Sequence, residues 1–62
     1  MKADLMTVDE AAIYLGMSAA FLNKLRSLGG GPTYAKFGRL VRYMAKDLDA
    51  WVEASKRTIV EH

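Results

Sequence analysis

The run Gly29-Gly30-Gly31-Pro32 constrains this chain more than any other feature of its sequence. Consecutive glycines lose the most backbone freedom when ordered, and proline can neither donate a backbone hydrogen bond nor sit inside a helix. Whatever precedes the run must end there, and whatever follows must begin afresh. It does not read as a phosphate-binding loop, because it follows a helical pattern rather than a strand and lacks the Lys-Ser/Thr ending. A helix C-terminal cap followed by a flexible link accounts for it.

The half before the break reads as two short helices. Thr7-Val8-Asp9-Glu10 fits a capping box, in which the Thr7 hydroxyl takes an orphan amide and Glu10 reaches back to the amide of Thr7. Val8, Ala11, Ala12 and Leu15 then recur at helical spacing as the buried stripe, and Gly16 ends the helix after about two and a half turns. Ser18 caps a second helix running from Ala19 to about Leu28. Phe21, Leu22, Leu25 and Leu28 gather on one side of it. Ala20, Asn23, Lys24 and Ser27 lie opposite, with Ala19 and Arg26 on the border. Only Gly16 and Met17 separate Leu15 from Ser18, so the helices meet across a tight turn. That is the helix-turn-helix arrangement, whose second helix can lie in a DNA major groove.

Beyond the break, Thr33 to Phe37 and Val41 to Tyr43 read as two strands of a hairpin. Its register can be set in two ways, and a one-residue slip exchanges the faces of every side chain. A two-residue loop, Gly38-Arg39, pairs Phe37 with Leu40 and puts Lys36 on the face of Val41. A three-residue loop, Gly38 to Leu40, pairs Phe37 with Val41 and Ala35 with Tyr43. The second puts all four of those residues on the core side and Tyr34, Lys36 and Arg42 outside, and it is the preferred reading, although glycine at the first loop position is weaker chemistry for it. A last helix starts near Met44 or Ala45, with Leu48, Trp51 and Val52 as its apolar stripe and Ile59 as a further candidate. Its early Asp47 and Asp49 and late Lys56 and Arg57 agree with the helix dipole.

With 62 residues, the chain reads as a single domain over 1–62 with its core at about 5–55. Zero cysteines leave no disulfide or thiolate metal site to brace it, and the sole histidine, His62, is the last residue, where chains are seldom held. No cofactor and no metal are expected. The longest stretch without a charge, Ala11 to Asn23, is too short to span a membrane, and Asp4 sits where a signal peptide would be basic. A cytoplasmic, nucleoid-associated protein is the expectation. No nucleophile has an adjacent base, and Asp47 and Asp49, two apart on a helix, diverge, so an enzyme is not expected.

Charge is distributed in three blocks. Residues 1–10 carry −2 and residues 47–62 carry −2, whereas residues 11–46 hold no acid and carry +6 from Lys24, Arg26, Lys36, Arg39, Arg42 and Lys46. A block of that sign is either a solvated face or a surface for a polyanion, of which nucleic-acid phosphate is the commonest.

Three segments carry a family resemblance. Leu5 to Ser18 (LMTVDEAAIYLGMS) resembles the opening of the excisionase/AlpA-type domains of the wider MerR-like group. Pro32 to Tyr43 (PTYAKFGRLVRY) resembles their wing, and Lys46 to Val52 (KDLDAWV) their closing helix. The resemblance spans roughly Leu5 to Glu53. It implies an α+β, mostly α fold: a winged helix-turn-helix with a two-stranded β-hairpin wing and a C-terminal helix. It implies a double-stranded DNA binder, either an excisionase (a recombination directionality factor) or a small transcriptional regulator.

By position, the resemblance places Ser18, Ala19, Ala20, Asn23, Lys24 and Ser27 at the major groove, and Lys36, Gly38, Arg39 and Arg42 at the wing contacts. Where relatives often carry Arg, Lys or Thr, this chain has Ala19 and Ala20, which can touch a thymine methyl but cannot hydrogen-bond a base edge. Direct readout is therefore thin, and Asn23, able to pair with adenine, and Lys24 are its main candidates. Arg26 and Lys24 are candidates for phosphate contact from within the acid-free block, and Arg39 at the loop tip is the foremost one. Tyr34 can stack or bond a phosphate, although packing against the sheet is the simpler role. Trp51 and Phe21 are expected in the core. Expected partners are double-stranded DNA, with an integrase or recombinase or further copies of the chain on adjacent sites. The alternative is a protein-interaction module docking an acidic partner such as a recombinase.

Overall fold

A computed structural model describes residues 5–57. Its elements run β1 (Leu5–Met6), α1 (Val8–Leu15), α2 (Ala19–Ser27), β2 (Ala35–Phe37), β3 (Leu40–Met44) and α3 (Ala45–Ser55). The fold is α+β and mostly helical, a winged helix-turn-helix. Its sheet is three-stranded and antiparallel in the order β1-β3-β2, one strand more than the expected hairpin. The added strand sets Leu5 opposite Met44 and Met6 opposite Tyr43. Two residues are too few to display a period, so β1 leaves no pattern in the sequence.

Local chemistry fixes the helices. At Thr7 both halves of the capping box are made: the Glu10 amide donates to the Thr7 hydroxyl at 3.1 Å and the Thr7 amide donates to Glu10 Oε1 at 2.9 Å. At the other end of α1, Gly16 turns left-handed at φ 73°. The amides of Gly16 and Met17 then reach Ile13 and Ala12 carbonyls at 3.1 and 3.0 Å, the paired bonds of a Schellman cap. Ser18 caps α2 by accepting from the Phe21 amide at 3.1 Å. The glycine run closes α2 by the same device: Gly29 and Gly30 donate to Arg26 and Leu25 carbonyls at 3.1 and 2.8 Å, with Gly29 at φ 86°.

Ala11, Ala12, Leu22, Tyr43 and Leu48 form the fully buried core, edged by Met6, Val8, Leu15, Met17, Ala19, Leu25 and Val41. The alanines of α1 let α2 and β3 approach closely, and Tyr43 fills the space between them. The buried stripe of α2 runs through Ala19, Leu22, Leu25 and half-buried Arg26. Phe21 is thereby turned roughly 100° from Leu22 and is 47% exposed, and Leu28 is 74% exposed. The expectation that Phe21 lies in the core is therefore wrong: Ala19 and Arg26, not Phe21 and Leu28, flank Leu22 and Leu25 on the inward side. Trp51 is half-buried and lies outside the core cluster, while Val52 is 41% exposed. A helix crosses so small a core in about one turn, and Leu48 takes that place. Ile59 and His62 lie outside the described residues.

The hairpin takes the two-residue loop and not the preferred three-residue one. Ala35 pairs with Arg42, Lys36 with Val41 and Phe37 with Leu40. Gly38 alone in the turn has positive φ, at 63°, while Arg39 does not. Glycine at the first central position is what a type II′ turn needs, and its twist matches that of the strands. The faces exchange accordingly. Tyr34 and Lys36 share the side of Val41 and Tyr43, and Phe37, Leu40 and Arg42 point the other way.

Among the described residues no helix is long and apolar enough to cross a membrane, and no group of three or more His, Cys, Asp or Glu could hold a metal ion.

Candidate nucleic-acid interface

The second helix presents one polar face. Ala20, Asn23, Lys24 and Ser27 are all exposed on it, opposite the buried stripe. Asn23 and Lys24 make no side-chain hydrogen bond among the described residues, so their polar groups are open to a ligand. Ser18 is exposed at the head of the helix but its hydroxyl is already engaged in the cap. Ala19 is partly buried against the core and stands apart from this face.

Arg26 points inward. Its Nη1 donates to the hydroxyl of fully buried Tyr43 at 3.1 Å, and its guanidinium carbon lies 5.8 Å from the centre of the Tyr34 ring. Tyr34 in turn meets Tyr43 at a ring separation of 6.0 Å and a tilt of 51°. Continuing the strand register by one step puts these two tyrosines opposite each other, so both rings belong to the sheet and both are read by one arginine on α2. Packing of Tyr34 on the sheet is thus as expected. The helix and the wing are tied together by a cation held over an aromatic face and bonded to a buried phenol.

The wing projects from the body, since β2 makes its substantial contacts with β3 alone. Lys36, Gly38 and Arg39 are exposed, with Arg39 at the tip of the turn. Arg42 is half-buried on the opposite face from Lys36, its Nη1 donating to the Val41 carbonyl at 2.8 Å. The wing's cations therefore divide between its faces, Lys36 on one and Arg42 on the other opposite Ala35, with Arg39 alone in the turn. No ion pair joins Lys24, Arg26, Lys36, Arg39, Arg42 or Lys46 to a carboxylate among the described residues, whose one salt bridge is Lys56 to Glu53 at 3.1 Å.

The acids lie elsewhere. On the far side of α1, the Tyr14 phenol donates to Asp49 Oδ1 of α3 at 2.7 Å. That bond, followed by partial desolvation and the Asp49 charge, raises the Tyr14 pKa above its ordinary value of 10.0. An open groove of about 450 Å³ beside this pair is lined by Tyr14, Leu15, Asp49, Val52, Glu53 and Lys56.

Sequence reasoning missed Tyr43 as the anchor of Arg26, and it missed the exposure of Phe37 and Leu40 at the wing tip. Only the glycine at position 38 could have signalled the second, by selecting the shorter turn.

No curated protein matches this chain. A family model described as a helix-turn-helix domain matches residues 5–59, from the first strand past the end of α3. Capped helix pair, glycine break, wing and closing helix all fall within that span, and the chain belongs to this helix-turn-helix domain family, of the excisionase/AlpA type, whose business is binding DNA.

Proposed function

We propose that the protein is a non-enzymatic binder of double-stranded DNA that lays α2 in the major groove and its wing on the backbone and minor groove. The observation that carries this is the pairing of two exposed cationic elements, α2 and the wing, through Arg26, with no carboxylate partner on either among the described residues. In this reading Asn23 and Lys24 read base edges, Ala20 contacts a thymine methyl, and Ser18, Ser27, Lys36, Gly38, Arg39 and Arg42 hold phosphates. Ala19 sits behind this face. Arg26 serves as a positioning residue, setting the angle between helix and wing. A single module buries on the order of 600–1,000 Å², so useful specificity calls for several copies on adjacent sites or for a partner such as an integrase. An excisionase and a small transcriptional regulator both fit, and bases protected on DNA flanking the encoding locus distinguish them. The surroundings of such a site are the cytoplasm and its nucleoid.

A salt series tests the reading. Affinity for duplex should fall steeply between about 50 and 200 mM salt, with a log–log slope of roughly −3 to −4 for about three to four phosphates neutralised by Lys36, Arg39, Arg42 and Lys24. No retention on any duplex at low salt would overturn it and hand the surface to an acidic protein partner. Within the reading, Arg39→Ala should weaken all duplexes alike and flatten the slope by about one, whereas Asn23→Ala should alter sequence preference.

A further inference from the structure

The observed hairpin register leaves an apolar pair at the end of the wing. Phe37 and Leu40 face each other directly across the Gly38-Arg39 turn and are each 54% exposed. They stand on the side away from Val41 and Tyr43, so the core cannot claim them. Two large apolar side chains at the tip of a protruding hairpin are costly in water, by about 1.5–3 kcal/mol for each one fully buried elsewhere. Paired across the turn they contribute only about 0.2–1 kcal/mol to the hairpin, since Gly38 sets the turn and Tyr43 and Val41 lie on the inner face. Around them stand Lys36, Arg39 and Arg42, with no acid between Ala11 and Lys46. An apolar partner protein would have to bury those cations without counter-charges. The partner that offers both an apolar slot and a surrounding wall of anions is a duplex minor groove, where stacked bases and sugars lie between two phosphate rows.

We propose that Phe37 and Leu40 form a wedge that enters the minor groove beside Arg39 and partly unstacks one base step, bending the duplex. This rests on the DNA-binding reading above and adds to it a specificity that does not come from hydrogen bonds: steps that unstack easily, pyrimidine–purine steps such as TA and CA, bind more tightly. Such indirect readout complements the sparse polar readout of α2, where Ala20 offers no hydrogen bond to a base edge. The cations fix the wing on the phosphates, and the wedge selects the step between them.

The test uses the full chain and a duplex recovered by selection from a random-sequence library, carrying 2-aminopurine at each position of the bound segment in turn. Wild type should raise the fluorescence at one step, the mark of lost stacking. Phe37→Ser/Leu40→Ser should abolish that rise and weaken binding about tenfold or more, with the salt slope unchanged because every cation remains. Unchanged affinity and fluorescence in the double variant would overturn the wedge, as would a change confined to self-association in sedimentation. Should the double variant melt early, Phe37→Trp supplies the readout in a chain where Trp51 is replaced by Phe: its emission is quenched on duplex if the ring stacks, and unchanged if the proposal is wrong. If only the wedge proposal fails, wild type still binds duplex with its salt slope but shows no fluorescence rise at any step. Failure of the DNA reading itself would abolish both.

Discussion

Replacing Arg26 by alanine probes the joint between the recognition helix and the wing. The guanidinium holds the hydroxyl of Tyr43, which is wholly buried, and lies over Tyr34. Removing it strands a buried phenol, costing about 1.5–3 kcal/mol for a charge-assisted bond, and forfeits a part-exposed cation–π contact worth about 0.5–1 kcal/mol. Because Arg26 is only half-buried and water can partly replace it, the lower end applies, about 2 kcal/mol in sum. In a domain of this size that is a large share of the total stability and lowers the melting temperature by roughly 8–16 °C. The assay is a thermal-melt double-mutant cycle with Tyr43→Phe, which removes the hydroxyl and keeps the ring. The two substitutions should be coupled by about 1 kcal/mol, since Tyr43→Phe removes the group that Arg26→Ala leaves unpaired. Strict additivity, or an Arg26→Ala variant melting with wild type, would refute the joint. The same variant distinguishes positioning from contact: Arg26→Ala should weaken duplex binding while leaving the salt slope unchanged, which a phosphate ligand could not do.

Other expectations follow from the caps, the glycines and one phenol. Thr7→Ala removes the hydroxyl that accepts from the Glu10 amide, while the backbone amide of residue 7 keeps its bond to Glu10 Oε1, and should cost about 1 kcal/mol by thermal or urea melt. Gly31→Ala should destabilise more than Gly29→Ala: both glycines have positive φ, 85° and 86°, but a Cβ at 31 meets Leu25 Cβ at 3.0 Å whereas at 29 it meets nothing within 4 Å. A Tyr14 titration followed at 295 nm should show a pKa above 10.0, restored toward that value by Asp49→Asn. The phenol's bond to Asp49 stabilises the fold fully below the unfolded pKa and is lost as pH rises through the folded one, so the stability difference between wild type and Tyr14→Phe should vanish at high alkaline pH.

What the sequence made legible was whatever a few neighbouring residues decide. The Thr7 box, the Ser18 cap, the left-handed Gly16 and the glycine stop after α2 are local chemistry, and each sits where the residues place it. The inward side of α2 was harder, because Phe21 and Leu28 look like core residues, yet their exposure is set by where α1 and β3 meet the helix. The hairpin register turned on one glycine weighed against four apolar residues: the turn geometry won, and Phe37 and Leu40 were released to the surface. The Arg26–Tyr43 bond joins positions 17 apart, and no short-range pattern announces such a pair. On the candidate interface, the exposed face of α2 was readable from the helical wheel, whereas Ala19 and Arg26, placed on its border, proved to face inward.

Amide chemical-shift mapping of the full chain during a duplex titration tests most directly whether α2 and the wing act as one surface on duplex DNA. Asn23, Lys24, Ser27, Lys36 and Arg39 should shift together and saturate at one stoichiometry, while Ile13, Tyr14 and Val52 stay still. Shifts concentrated on Ile13, Tyr14 and Val52, or confined to α2 with a silent wing, would contradict it.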